Sequence, residues 1–220
     1  MMYLGNQAVG LITDVSKRVP LGPGYIHIEY LESSGTQVID TGINAKMNSK
    51  LICDVMKLGI AKENTYEYIC GSANPYVYVF VSNTVPLNNY TNHYNGFGNV
   101  QDKTFSFPAW VRAKVEVNKD IAKVTYVENP ECVRSVEINA TSISENVDSH
   151  ICLFGRNGQN GYERFSKVRI YEYLYYEGDT LLRHMYPAKR ESDGELGMYD
   201  VVNNVFYTNA GTGTFIGGDT

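Results

Sequence analysis

The side chains of this chain best suited to chemistry lie in two stretches rich in glycine and asparagine. Residues 88–99, NNYTNHYNGFGN, set Tyr90, His93, Tyr94 and Phe97 among five asparagines and two glycines. Flat rings stack on the apolar face of a sugar, and amides offer paired donors and acceptors to its hydroxyls. The mixture suits a carbohydrate or a polar protein surface, with Tyr90, Asn92, Tyr94 and Asn95 as the candidate ligand-binding residues. A second stretch, residues 156–162, adds Arg156 and Asn157 to that set and carries Tyr162 beside them. Asparagine and glycine are equally what a turn demands, so a purely structural loop is the competing reading for both.

Other constellations are weaker. Glycoside hydrolysis needs two carboxylates flanking the scissile bond, and on one strand they must alternate to share a cleft, as in Glu-x-Asp-x-Glu. Asp54 instead has Ile52 and Met56 two positions away, Glu67 has Thr65 and Ile69, and Glu172 has Ile170 and Leu174. A pair assembled from different strands stays open. The four histidines (His27, His93, His150, His184) are scattered, and no Gly-x-Ser-x-Gly elbow places a serine nucleophile. The run Gly211 to Gly217 resembles a phosphate loop only superficially, because no helix follows it for a phosphate to cap. Asp40, Asp102 and Asp148 are loose calcium candidates without an EF-hand-like loop, so no metal and no cofactor is expected. Cys53, Cys70, Cys132 and Cys152 lie far apart within apolar runs and read as buried free thiols.

The elements that must position these residues are strands. At 220 residues with 43% apolar and 20% charged side chains, the chain suits one large globular domain. Eighteen tyrosines against eight phenylalanines and one tryptophan favour strands wet on one face. The net charge of −5 has only Lys17-Arg18 and Lys189-Arg190 as basic pairs, which disfavours nucleic acid and anionic membrane as partners. No 18-residue apolar run and no basic leader is visible, so synthesis in a cytoplasm is expected.

Taken in order, residues 1–24 are broken by Gly5, Gly10, Pro20, Gly22, Pro23 and Gly24 and read as an N-terminal arm. Residues 25–220 read as one sandwich. Period-two alternation marks strands at Tyr25 to Tyr30, Val38 to Ile43 and Leu51 to Met56, followed by Tyr66 to Cys70 and Tyr76 to Val81. Trp110 to Tyr126 reads as a hairpin turning at Asn118-Lys119-Asp120, with Val111, Ala113, Val115 and Val117 on the core face. Val133 and Val136 mark another strand, and Ser142 to Ser149 is the one place for a helical turn. Ile151 to Phe154 reads as a buried strand, and Phe165 to Tyr176 as a long one turning at Glu177-Gly178-Asp179 into a partner. Many short strands without 3.6-residue periodicity mean an all-β antiparallel sandwich.

The run His150 to Arg183, the segment Tyr30-Leu31-Glu32-Ser33-Ser34-Gly35-Thr36-Gln37, and Met198-Tyr199-Asp200 through Gly211-Thr212-Gly213-Thr214-Phe215 resemble concanavalin-like (laminin-G-like) jelly-roll modules. Such modules occur in virion proteins of gut bacteriophages and in surface proteins of gut bacteria, and the resemblance covers roughly residues 25 to 218. It implies a phage virion structural protein, a head or tail fibre or decoration protein without catalytic machinery. Its expected partners are other virion proteins, reached through the N-terminal arm, and a host-surface glycan. Several copies together, such as a trimer, are implied, located in the virion. A carbohydrate-binding module of a gut bacterium is the rival reading, and a glycoside hydrolase the third.

Overall fold

The computed structural model describes residues 18–62, 66–72, 78–82, 92–95, 109–137, 150–158 and 160–220. In chain order the strands are β1 (Tyr25–His27), β2 (Leu31–Glu32), β3 (Ile39–Asn44), β4 (Ser49–Lys57), β5 (Tyr66–Gly71) and β6 (Tyr78–Ser82). Next come β7 (Asn92–Asn95), β8 (Arg112–Asn118), β9 (Ile121–Tyr126), β10 (Val133–Glu137), β11 (His150–Leu153) and β12 (Arg156–Gly158). The chain ends with β13 (Gly161–Glu163), β14 (Val168–Glu177), β15 (Thr180–Arg190), β16 (Leu196–Asp200), β17 (Val205–Tyr207) and β18 (Ile216–Gly217). Among the described residues there is no helix. The segment 142–149 and the first 17 residues lie outside them.

These strands form an antiparallel sandwich, as the alternation predicts. One sheet of eleven strands runs β10-β9-β8-β4-β14-β15-β16-β17, with β1 on β15 and β2 joining β14 to β18. The other, of five strands, runs β3-β11-β5-β6-β7, and β12 and β13 make a small hairpin of their own. β14 is the spine of the large sheet, paired with β4 along nearly its whole length and with β15 through the turn at Gly178. Gly178 has φ 57°, which a glycine adopts without a side-chain clash.

Inward-facing residues alternate: Leu51, Cys53 and Val55 on β4, Ala113, Val115 and Val117 on β8, Val168 and Ile170 on β14, all in one core with Ile39, Ile69, Ile151 and Leu153 of the facing sheet. Each valine, leucine and isoleucine among them contributes about 1.5–3 kcal/mol by leaving water. Val111, expected on the same face as Ala113, lies before β8 and is only half-buried, outside that core. The surplus of tyrosine is partly structural, since Tyr173, Tyr175 and Tyr186 are fully buried. Tyr175 resolves its hydroxyl against Ser49 Oγ and the Asn44 carbonyl.

Two details depart from simple alternation. The register of β14 on β4 shifts between Ile170 and Glu172. This bulge puts Tyr171 and Glu172 on the outer face in succession, which strict period two forbids. On β4, Ile52 and Asp54 point away from the core yet are buried as well. β14 also begins at Val168 rather than Phe165, and Cys132 is half-exposed where a buried thiol is expected; Cys53, Cys70 and Cys152 are buried and free.

The segments that carry the family resemblance tie the two ends of the domain together. Gln37 Oε1 accepts from Ser33 Oγ, at 2.9 Å, and from Ser34 N, at 2.9 Å, while its Nε2 donates to the Thr214 carbonyl at 3.0 Å. Asn209 Oδ1 accepts from Val38 N at 3.1 Å and from Gly211 N at 2.9 Å. Residues 18–24, the end of the predicted arm, pack on the sandwich. Arg18 is buried and donates to the Ile28 and Glu29 carbonyls at 2.8 and 2.9 Å, and Gly22 lies so close to the Tyr199 hydroxyl that a Cβ would collide with it.

Candidate functional site

The short hairpin β12–β13 turns one predicted loop into an ordered element. Arg156 pairs with Glu163, Asn157 with Tyr162 and Gly158 with Gly161. A Cβ at Gly158 would run into the Glu163 carboxylate, so glycine there lets that carboxylate fold back toward Arg156. Arg156 donates from Nε and Nη2 to Glu163 Oε1, at 2.9 and 2.6 Å, and from Nη1 to Tyr68 Oη at 2.9 Å. Its guanidinium also lies 4.8 Å from the centre of the Tyr68 ring. Burial works against the charge, but Tyr68 and Glu163 outweigh it and raise the Arg156 pKa.

Beside this group stands a second one on β3 and β11. Tyr162 donates to Asp40 Oδ2 at 2.9 Å, and Asp40 Oδ1 lies 3.0 Å from His150 Nδ1 and accepts from Gly42 N at 2.9 Å. Cys152 is the cross-strand partner of Asp40. Burial, with the Asp40 charge next, pushes the Cys152 thiol well up, and the thiol points to the His150 carbonyl rather than to its ring. The trio Cys152, His150 and Asp40 therefore lacks the thiolate and the thiol-to-imidazole contact of a nucleophilic site. Burial and Asp40 likewise raise the Tyr162 hydroxyl, keeping it a neutral donor.

All of this lies on the outer face of the five-stranded sheet. His150, Asp40 and Glu163 keep side-chain exposures of 39%, 21% and 45%, so their polar edges meet solvent. The other predicted stretch reaches the same sheet. β7, residues Asn92–Asn95, is its edge strand, and the register runs Tyr68 to Phe80 on β6 and Phe80 to His93 on β7. At about 4.8 Å per strand, β7 stands roughly 10 Å from the strand that carries Tyr68. Tyr90 lies outside the described residues, and of Asn92, Tyr94 and Asn95 the backbone alone is described. Sequence spacing singled out Arg156 and Asn157 but stopped one residue short of Glu163, and it missed Tyr68 and His150, which come from separate strands with no local signal.

The carboxylate pair that the sequence left open also exists. Asp54 and Glu172 are register partners on β4 and β14, on the outer face of the large sheet. Asp54 takes Nε and Nη2 of Arg112 at 2.8 Å on each oxygen, and Glu172 Oε1 lies 2.7 Å from His184 Nε2. Both are buried, at 2% and 4% exposure, so no substrate bond reaches them. Among the described residues no group of three His, Cys, Asp or Glu side chains could hold a metal ion. Asp102 and Asp148 lie outside those residues, and both oxygens of Asp40 are engaged.

No family model matches the sequence, and no curated protein is similar to it. Its fold is similar to that of a candidate carbohydrate-binding protein from Bacteroides ovatus ATCC 8483, with a TM-score of 0.57 at 10% identity over 89% of this chain. The chain spans 61% of that protein's length. A second structure, the full-length tailspike protein 2 from Escherichia coli O157:H7 bacteriophage CAB120, gives a TM-score of 0.44 at 10% identity, over 74% of this chain and 25% of that one. At this identity the first similarity is one of fold alone, and the second is too low to add to it.

Proposed function

We propose that the chain is a non-catalytic, lectin-like sandwich that holds a glycan on the outer face of its five-stranded sheet, and that it serves as a structural or adhesive component of a phage virion. The observation that supports the glycan reading is that the hairpin with Arg156 and Asn157 packs against β5 and β11 of the five-stranded sheet, two strands along from Asn92–Asn95. A guanidinium fixed on a tyrosine ring beside a carboxylate, an imidazole and a phenol supplies fixed donors and acceptors of the kind sugar hydroxyls need. The burial of Asp54 and Glu172, the first held by Arg112 and the second hydrogen-bonded to His184, supports a binding rather than a hydrolytic role. The virion assignment, with residues 1–24 as the link to other virion proteins and several copies per assembly, is supported by the sequence resemblance.

A lectin-like module of a gut bacterium is the second reading, favoured by the fold shared with the Bacteroides ovatus protein. Purified phage particles analysed by mass spectrometry separate the two, because only a virion component co-purifies with infectious particles at fixed stoichiometry. Calorimetry with capsular polysaccharide from the host tests the glycan itself. Arg156→Ala is expected to weaken that binding about tenfold with a melting temperature near the parent's, and undiminished binding would overturn the proposed face.

A further inference from the structure

Trp110 is the single tryptophan of the chain, and it is 62% exposed. It sits just before β8 with φ 66°, a left-handed conformation that a bulky side chain adopts only under constraint. Among the described residues three other non-glycine residues share this region, and each differs from it. Phe154 is fully buried against Phe215, with ring centres 4.9 Å apart, Asn204 is a residue type that visits this region readily, and Arg164 carries no apolar ring. Among the described residues Trp110 alone combines the strained backbone with a large ring left in water, and its N–H is pinned to the Lys57 carbonyl at 2.7 Å. Strain that packing does not explain points to function.

The surroundings of the ring are ordered and polar. The Arg169 guanidinium lies 5.9 Å from the indole centre and 4.1 Å from the Tyr30 ring centre, and its Nε donates to Glu32 Oε2 at 2.7 Å. Beneath Tyr30 stands Tyr171, 5.8 Å away edge-on, and Arg112 covers Tyr171 at 3.7 Å while Asp54 clamps Arg112. The rings are thus preset before any ligand arrives. Between Trp110 and Tyr30, within reach of both rings, is a guanidinium held by a carboxylate, which offers fixed donors and acceptors to sugar hydroxyls.

We infer that Trp110, Tyr30, Arg169 and Glu32 form a second saccharide subsite, on the outer face of the eleven-stranded sheet, where a pyranose ring stacks on the indole. The arginine and the carboxylate hydrogen-bond its hydroxyls. The inference rests on the proposed glycan reading for its ligand class only; the residues, the sheet and the face are different. Two binding faces on opposite sides of one sandwich let a single domain hold two separate polysaccharide strands, linking them without a second copy.

With one tryptophan, emission excited at the red edge of the absorption band, where the eighteen tyrosines do not absorb, reports the surroundings of Trp110. The full chain is titrated with cellohexaose, maltohexaose, laminarihexaose and chitohexaose, following emission and, in parallel, heat. At least one sugar is expected to give a saturable blue shift that Arg156→Ala leaves in place and Arg169→Gln weakens. Trp110→Gly is expected to lose about tenfold or more in affinity for that sugar while its melting temperature does not fall, because glycine relieves the positive φ. Heat without any change in emission refutes this subsite and leaves the five-stranded face intact. The subsite is equally overturned if none of the sugars shifts the emission, if Trp110→Gly binds undiminished, or if the shift vanishes in a folded Arg156→Ala variant.

Discussion

Asp54 and Glu172 stand opposite one another across β4 and β14, and each is closed off by its own partner: Arg112 grips both oxygens of Asp54, and His184 Nε2 meets Glu172 Oε1. Burial raises the Asp54 pKa beyond what Arg112 offsets, whereas for Glu172 the hydrogen bond and charge of His184 outweigh burial and lower it. Divergent carboxylates are what acid–base catalysis uses, but catalysis also needs a reachable oxygen. Here the pair is structural. Arg112→Met alone strands a buried carboxylate and is expected to cost about 3–5 kcal/mol in denaturant unfolding. Asp54→Leu combined with Arg112→Met is expected to recover most of that loss, and a double variant as unstable as the single one would refute the assignment.

Gln37 is expected to matter for folding and not for ligand. Its amide collects donors from Ser33 and Ser34 and reaches Thr214, 177 residues away. Gln37→Leu leaves several of these groups without partners and should cost about 2–4 kcal/mol. Glycan affinity of the folded fraction should be unchanged, as calorimetry below the melting transition will show.

How far the sequence reached depended on how local the interaction was. The hairpins β8–β9 and β14–β15 were legible because period-two alternation and a turn signal lie within twenty-odd residues; Asn118 Oδ1 caps its turn by accepting from Asp120 N and Ile121 N. The outer-face chemistry was not. Arg112 meets Asp54 across 58 positions and His150 meets Asp40 across 110, and no spacing rule encodes such partners. The bulge at Tyr171 hid Glu172 from an alternation count. An exposed tryptophan at positive φ leaves no trace in a sequence pattern, because backbone conformation at a turn is set by the strands on either side.

Lys57 gives the domain a pH signature. Fully buried at the end of β4, its ammonium is pushed down by burial to about 8, with Glu67 opposing. The folded pKa lies below the unfolded 10.5, so the unfolded chain binds the proton more tightly. The burden is therefore full below pH 8 and lifts as pH rises through 8 toward 10.5. Relative to Lys57→Met, the parent should gain about 0.8 kcal/mol between roughly pH 7 and 8.5. Parallel stability curves for the two proteins over that window would show that Lys57 titrates normally.

The thiols should separate by reactivity. Hydrogen bonding to Cys70 and burial raise the Cys53 pKa, burial raises that of Cys152, and Cys70 is buried beside Cys53. Cys132 is half-exposed. Under native conditions one equivalent of iodoacetamide should label Cys132, with the other three reacting only in denaturant. Peptide mapping that finds Cys53 or Cys152 labelled first would overturn the burial pattern.

The edge strand decides the glycan reading most directly. If Tyr94 stacks on a sugar, its ring contributes one aromatic contact, about 0.5–1.5 kcal/mol, and a single site binds weakly. Tyr90→Ala with Tyr94→Ala should then leave the melting temperature within a few degrees of the parent, because an edge-strand side chain in contact with ligand is not part of the core. Binding to host envelope polysaccharide should fall about tenfold or more, and adding Arg156→Ala should cost less than the sum of the two effects if all three residues hold one ligand. Strict additivity would place Arg156 and the tyrosines on separate ligands, and a double variant that unfolds would put the tyrosines in the core.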